Sequence, residues 1–227
     1  MEESKILQQA IKLEPRSDVY NIEDFFISMC NKDAYEAVFL SPVGYMPYLY
    51  CLLIRGGKSS GKTSLAQVAR DYKNATIAND MQEIKNQEKQ LYIIDNCDLW
   101  EEEDLFHSIN LCSENQSNLI LFADVEWKPN LLDLSSRINS MKEQIIAEPD
   151  DEMMEVIIAS EFSKRSIAIT KEVINYLKPR VARNYISIKN VINKIDIFSL
   201  ENKKNITVRT LHNFFVNQES QSSKQDI

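Results

Sequence analysis

A glycine-rich segment is the first part of the sequence that could do chemistry. Residues 56–63 read Gly-Gly-Lys-Ser-Ser-Gly-Lys-Thr and match the pattern G-x-x-x-x-G-K-[ST], and they hold three of the four glycines in the chain. Such a loop turns backbone N–H groups toward phosphate oxygens, while its lysine reaches the β- and γ-phosphates and its Thr hydroxyl faces Mg²⁺. We therefore predict a phosphate cradle formed by Gly56, Gly57, Lys58, Ser59, Ser60, Gly61, Lys62, Thr63 and Ser64.

An acidic residue downstream could complete a metal site. The apolar run 91–94 ends at Asp95, which is followed by Asn96. A carboxylate at the tip of a strand near a phosphate loop is what such sites use to hold the Mg²⁺ shell, so Thr63 and Asp95 are the predicted metal-shell residues. The alternative is that Asp95 only begins a turn. Because Asn96 lacks a carboxylate to activate water, slow hydrolysis by the chain itself is expected.

Three further residues carry charge at suggestive positions. Asp124 ends the apolar run 118–123, where it could meet the γ-phosphate or the attacking water, or simply hydrogen-bond its own turn. Arg183 could hold phosphates in a bidentate manner. Taken alone, Arg137 and Arg183 are most often surface arginines.

The elements that would position these residues alternate between strand and helix. Apolar runs predict strands at 48–55, 91–95 and 118–123, with weaker ones at 75–78 and 144–147, and helical patterns follow at 62–72 and 101–113. This order predicts an α/β fold with a parallel five-stranded sheet flanked by helices.

The hydrophobic pattern of the sequence changes at Pro149, after which only helical patterns appear. We predict an N-terminal arm at 1–18, a nucleotide-binding base domain at 19–148, a small all-helical lid at 149–217 and a disordered tail at 218–227. Asp150 or Asp151 would begin the first lid helix and Thr170 would cap the second.

Composition excludes several classes of protein. The net charge of −8 and the pI near 5.0 argue against a protein that grips nucleic acid through a basic surface. Neither a membrane span nor a signal peptide is evident, so we expect a cytoplasmic protein. The four cysteines have no CxxC spacing and the two histidines no ligand-type neighbour, so a zinc site is not expected.

In their order and spacing, these segments resemble the AAA+ module of the bacterial replication initiator DnaA and, more closely in length, of its regulator Hda. The resemblance covers most of the chain. It implies that Tyr20 and Asn31 belong to a base-recognising segment, that Asp124 is the sensor 1 residue, that Arg137 is an arginine finger, and that Arg183 is the sensor 2 arginine of the lid. The chain departs from the family at Ser59, which stands where the family has a glycine.

The resemblance also implies a function. Hda-like proteins bind ADP or ATP, associate with the sliding clamp on DNA, and offer the finger to ATP-bound DnaA in trans, which stimulates hydrolysis there. Gln9, Ile11 and Leu13 could be a remnant of the clamp-binding motif; the alternative, which is the commoner role of an amphipathic segment, is an N-terminal arm that packs on its own domain. The helix-turn-helix domain with which DnaA binds DNA has no counterpart here, so no direct sequence-specific DNA binding is expected.

Two other functions remain open at this point. The chain could be a self-contained ATPase resembling a helicase loader. Asn96 disfavours this hypothesis because it has no carboxylate to activate water. It could instead be a nucleotide-gated scaffold that binds a partner without promoting hydrolysis. Whether the chain self-associates is also left open.

Overall fold

The computed structural model describes residues 25–41, 50–86 and 89–222. The chain divides between Glu148 and Pro149 into two compact units. The first unit contains the sheet, and the described part of the second is entirely helical. Each unit has its own hydrophobic core.

The first unit is built on a five-stranded sheet in which every pair of neighbouring strands is parallel. The order across the sheet is β2-β3-β4-β1-β5, which places β1 between β4 and β5. The predicted parallel five-stranded sheet is thereby confirmed. Its strands are β1 (Cys51–Gly56), β2 (Thr76–Ile77), β3 (Leu91–Ile94), β4 (Asn118–Asp124) and β5 (Lys142–Ile146).

Alternate residues of β1 point to opposite sides of this sheet, and because they are mostly apolar on both sides, helices cover both faces. Leu52 and Ile54 pack in one core cluster with α1 and α2, whereas Leu53 packs in a second cluster with α3, α4 and α5. Buried apolar side chains on both faces are typical of parallel sheets. The helices are α1 (Lys32–Leu40), α2 (Lys62–Lys73), α3 (Met81–Asn86), α4 (Glu102–Glu114) and α5 (Leu132–Asn139).

Four helices make up the described part of the second unit. Asp150 caps the first of them by accepting a hydrogen bond from the Met153 amide at 2.8 Å. Thr170 occupies the N-cap position of the second helix, but its side chain makes no capping hydrogen bond and instead donates to Glu172 at 3.4 Å. The helices are α6 (Asp151–Ser163), α7 (Lys171–Leu177), α8 (Tyr185–Asn202) and α9 (Val208–Ser222).

The last helix extends further than the sequence pattern suggests. Helix α9 runs to Ser222, into the segment 218–227 for which a disordered tail is expected. The sequence from Val208 to Ser222 has neither proline nor glycine to end the helix early. Among the described residues, no helix is long and apolar enough to span a bilayer.

Candidate functional site

The glycine-rich loop joins the end of β1 to the beginning of α2. Gly61 occupies the N-cap of α2 with a φ of 94°, a left-handed conformation that glycine adopts without steric cost. Gly56 is required for a different reason, because a Cβ there would lie 2.5 Å from Ser60 Oγ and 3.2 Å from Ile146 Cβ. The loop thus follows a path that larger residues at these two positions would disturb.

Ser59, the departure from the family pattern, also has a left-handed backbone, with a φ of 63°. For a residue with a Cβ this conformation costs roughly 1–2 kcal/mol. The backbone therefore keeps a shape that suits glycine although the residue is serine.

Lys62 turns its ammonium group back into the loop. Nζ donates to the carbonyl oxygens of Gly56 at 2.7 Å and Gly57 at 3.0 Å. Burial lowers the pKa of Lys62, and the carboxylates of Asp124, Asp98 and Asp95 oppose that shift. A phosphate group at the loop would compete with these carbonyl oxygens for the same ammonium.

Thr63 and Asp95 are in direct contact. The Thr63 hydroxyl donates to Asp95 Oδ2 at 2.7 Å, and Asp95 Oδ1 accepts from the Asn96 amide at 3.0 Å. Asn96 itself has a left-handed backbone, with a φ of 51°, and is exposed. Asparagine tolerates this conformation better than most residues do.

The contact between Thr63 and Asp95 fits a magnesium shell. No group of three or more His, Cys, Asp or Glu side chains that could hold a metal occurs in the described part of the chain. Mg²⁺ commonly needs only one or two protein ligands, with phosphates and waters supplying the rest. One hydroxyl and one carboxylate beside a phosphate loop meet that requirement.

Asp124 lies beside the loop because β4 and β1 pair in parallel, with Gly56 opposite Asp124 in the register. Its Oδ1 accepts a hydrogen bond from the Glu126 amide at 3.1 Å. This is a contact within the turn that follows β4, as expected if Asp124 were only a turn residue. Among the acids that act on the pKa of Lys62, Asp124 has the largest effect. The carboxylate is therefore both a turn residue and a charge at the loop.

Arg137 lies in the last turn of α5, and its side chain is exposed. Nη2 donates to Asn110 Oδ1 on α4 at 3.1 Å. Beside it is a cavity of about 460 Å³, whose lining includes Lys85, His107 and Arg137. Glu114 also lines the cavity, so the charged groups around Arg137 are of both signs, and its one hydrogen bond is to a neutral side chain.

Arg183 lies in the second unit, in the segment before α8. Its Nη2 is 2.6 Å from Asp151 Oδ1 in the first turn of α6. This guanidinium, helped by Lys178, lowers the pKa of Asp151. Any phosphate bound by Arg183 would have to compete with that carboxylate.

The predicted base-recognising residues are only partly covered by the structure. The side-chain amide of Asn31 is buried; its Oδ1 accepts from the Ser28 amide and its Nδ2 donates to the Phe26 carbonyl, both at 2.9 Å. These bonds organise the turn that precedes α1. Tyr20 and the predicted clamp-binding residues Gln9, Ile11 and Leu13 lie outside the described residues.

Sequence reasoning assigned no role to three charged residues at the site. Arg55 is buried at the penultimate position of β1, and Asp98 has a buried Oδ1 with no hydrogen-bond partner among the described residues. Glu102, at the start of α4, accepts from the amides of Asn130 at 2.8 Å and Leu131 at 2.6 Å. The sequence signal for Arg55 is a charged residue in an otherwise apolar strand. Glu102 has no such signal, because its partners are 28 and 29 residues away.

Comparison with solved structures identifies the fold. The chain is similar to domain III of the Thermotoga maritima replication initiation protein DnaA, with a TM-score of 0.64 and 18% identity over 90% of this chain and 98% of that one. It is also similar to AMPPCP-bound DnaA from Aquifex aeolicus, with a TM-score of 0.59 and 22% identity over 82% of this chain and 67% of the other. The Thermotoga maritima RuvB Holliday junction branch migration motor matches with a TM-score of 0.59 and 14% identity, over 86% and 70% of the two chains.

These likenesses confirm the predicted fold class, the AAA+ P-loop fold. Within that class, the fold is related to that of DnaA domain III. No protein-family model and no curated protein sequence matches the chain.

Proposed function

We propose that this chain binds ADP or ATP with Mg²⁺ at the glycine-rich loop and regulates replication initiation by stimulating ATP hydrolysis in DnaA. The observation that carries the nucleotide part is the 2.7 Å hydrogen bond between Thr63 and Asp95, beside the ammonium of Lys62. These are the three groups that the sequence pattern predicts for a Mg²⁺-nucleotide site.

Each residue of the loop has a role that its position supports. Backbone amides of residues 57–63 at the start of α2 would bind phosphate oxygens, since a helix N-terminus favours an anion. Lys62 would exchange its two carbonyl contacts for phosphate oxygens. Thr63 and Asp95 would hold Mg²⁺, which neutralises charge on the β- and γ-phosphates when it is bound.

One observation favours a weak ATPase, and another supports a role in replication. The residue after Asp95 is Asn96, which cannot serve as the base for water. In addition, solved structures with the same fold include a DnaA bound to AMPPCP and single-stranded DNA, at 22% identity. A replication regulator of this fold is consistent with both observations.

The location of Arg137 supports action in trans. It precedes β5, whose first residue, Lys142, pairs with Leu52 near the beginning of β1. Its charge also acts on the Cys51 thiol at the first position of β1, where it opposes the burial that raises the pKa of Cys51 to about 12. Five residue steps along β1, about 16 Å, separate Cys51 from Gly56. Arg137 therefore lies toward the ends of the strands that are opposite its own loop.

Single-turnover phosphate release from ATP-bound DnaA of the same organism tests the proposed function. We expect this protein, with the sliding clamp loaded on DNA, to accelerate release at least about tenfold, because a guanidinium supplied in trans stabilises the charge of the transition state. Arg137→Ala should lose the acceleration, and Arg70→Ala, which changes a partly exposed arginine on α2, should keep it. Acceleration that survives Arg137→Ala would contradict the proposal; binding without acceleration in the wild type would favour the scaffold.

A self-contained ATPase is the second candidate, and Asp98 is the observation that favours it. Its buried Oδ1 has no partner among the described residues, and its charge acts on Lys62. Asp98 could then orient water in place of Asn96. Steady ATP turnover by the chain alone, lost in Asp98→Asn and kept in Arg137→Ala, would establish this function.

A further inference from the structure

Arg55 is a buried cation directly before the glycine-rich loop. It is 9% exposed, and its Nη1 donates to the Trp127 carbonyl at 2.7 Å and, more weakly, to the Asp124 carbonyl at 3.4 Å. Its Nε lies 3.2 Å from Glu143 Oε2 on β5, and the guanidinium carbon is 5.7 Å from the centroid of the Trp127 ring. A buried guanidinium held by several partners is costly to displace, so these contacts fix its position.

The partners of Arg55 belong to the segment that leaves the sheet after Asp124. Residues 125–131 connect β4 to α5. Arg55 holds this connection near its beginning through Trp127, and Glu102 holds its end through Asn130 and Leu131. The connection is therefore anchored at both ends by charged side chains.

The direction of the Asp124 carboxylate depends on this connection. Asp124 Oδ1 accepts from the Glu126 amide, so the carboxylate follows the backbone path of residues 124–127. Arg55 fixes that path at two carbonyl oxygens while its own next residue, Gly56, pairs with Asp124 across the sheet. The Arg55 side chain thus connects the beginning of the glycine-rich loop to Asp124 on the neighbouring strand.

We propose that Arg55 is a positioning residue that holds the Asp124 carboxylate at the terminal phosphate of the bound nucleotide. This inference rests on the proposed function only in that a nucleotide binds at the loop. It implies that Arg55 acts on the discrimination between a diphosphate and a triphosphate. A residue that merely stabilised the strand would not affect that discrimination.

The test is the ratio of the dissociation constants of Mg²⁺-ADP and Mg²⁺-AMPPCP, measured by calorimetry on this chain alone. Asp124→Ala should favour AMPPCP about fivefold, because it removes a negative charge close to the terminal phosphate. Arg55→Lys keeps the positive charge but loses the fork of the guanidinium, which lets Asp124 move away. We expect it to shift the ratio about threefold in the same direction. Arg70→Lys, at a partly exposed position on α2, should leave the ratio unchanged.

Combining the variants separates positioning from general stabilisation. If Arg55 acts through Asp124, Arg55→Lys should add no further shift in the Asp124→Ala background. Glu143→Gln is a second variant that loosens the guanidinium without changing the strand core, and we expect a shift of about twofold.

Three results would overturn the inference. The first is a ratio of dissociation constants that Arg55→Lys and Glu143→Gln both leave unchanged. The others are a shift by Arg55→Lys that is equally large with and without Asp124, and a ratio that does not respond to Asp124→Ala. Since the assay contains no partner protein, failure of Arg137 to activate DnaA would leave this measurement intact.

Discussion

At the scale of single residues, a hydroxyl, a carboxylate and an ammonium group come together at the glycine-rich loop, from Thr63, Asp95 and Lys62. The motif and the acid at the end of β3 pointed to Thr63 and Asp95, which the structure joins by a hydrogen bond. Arg55 was missed because its partners Asp124 and Trp127 lie 69 and 72 residues away, and no local pattern records such a contact. The backbone of Ser59 could not be predicted either, since most loop serines have negative φ.

Replacing Ser59 tests whether its left-handed backbone is strained. We expect Ser59→Gly to raise the free energy of unfolding by about 0.5–1 kcal/mol, because glycine adopts the φ of 63° without steric cost. Urea denaturation measures the difference. Ser59→Ala is the matched control, since alanine keeps the Cβ and should give no gain. A glycine variant no more stable than the alanine variant would show that the conformation carries no strain.

At the scale of elements, hydrophobic patterns located most of the helices and strands, and charge networks then fix how the helices pack. In the second unit, Glu161 of α6 is 7% exposed and lies 2.7 Å from Lys164 Nζ and 3.1 Å from Arg165 Nη1. Arg165 also pairs with Asp196 of α8 at 3.6 Å. This network connects two helices of the same core. Its contacts within 161–165 have the local i,i+3 and i,i+4 spacing of helix pairs, but the contact between Arg165 and Asp196 joins distant segments and has no local signature.

The pH dependence of unfolding tests this network. Burial raises the pKa of Glu161, but hydrogen bonds from Lys164 and Arg165 outweigh it, so the pKa lies below the ordinary value of 4.5. A lowered pKa means that the stabilisation is complete above the unfolded value and is lost as the pH falls through the folded one. We therefore expect Glu161→Gln to unfold more easily at pH 7 by about 1–3 kcal/mol, with a much smaller difference at an acidic pH below the folded pKa.

Urea unfolding of the wild type and the Glu161→Gln variant at both pH values measures this effect. Glu201→Gln, an exposed substitution on α8, is the control and should change stability by less than about 0.5 kcal/mol at either pH. Losses that stay equal between pH 7 and an acidic pH below the folded pKa would mean that the ionised carboxylate is not what stabilises the helix pair.

At the scale of the whole molecule, the fold class followed from the alternation of strands and helices, but the order of the strands did not. The order β2-β3-β4-β1-β5 depends on pairings between distant segments, such as β1 with β4, and these leave no local signature. The order matters for the site because it places Asp124 opposite Gly56. The net charge of −8 disfavours nucleic-acid binding through a broad basic surface.

Assignment of the nucleotide site to this loop requires that Thr63 and Asp95 hold Mg²⁺ on a nucleotide bound by Lys62. Calorimetry with AMPPCP, in Mg²⁺ and then in EDTA, measures this. We expect Asp95→Ala to weaken binding about 10- to 100-fold in Mg²⁺ and little in EDTA, and Lys62→Ala to weaken it in both. Asp71→Ala, an exposed change on α2, should match the wild type. Binding in Mg²⁺ that neither Asp95→Ala nor Lys62→Ala weakens would contradict the assignment of the site.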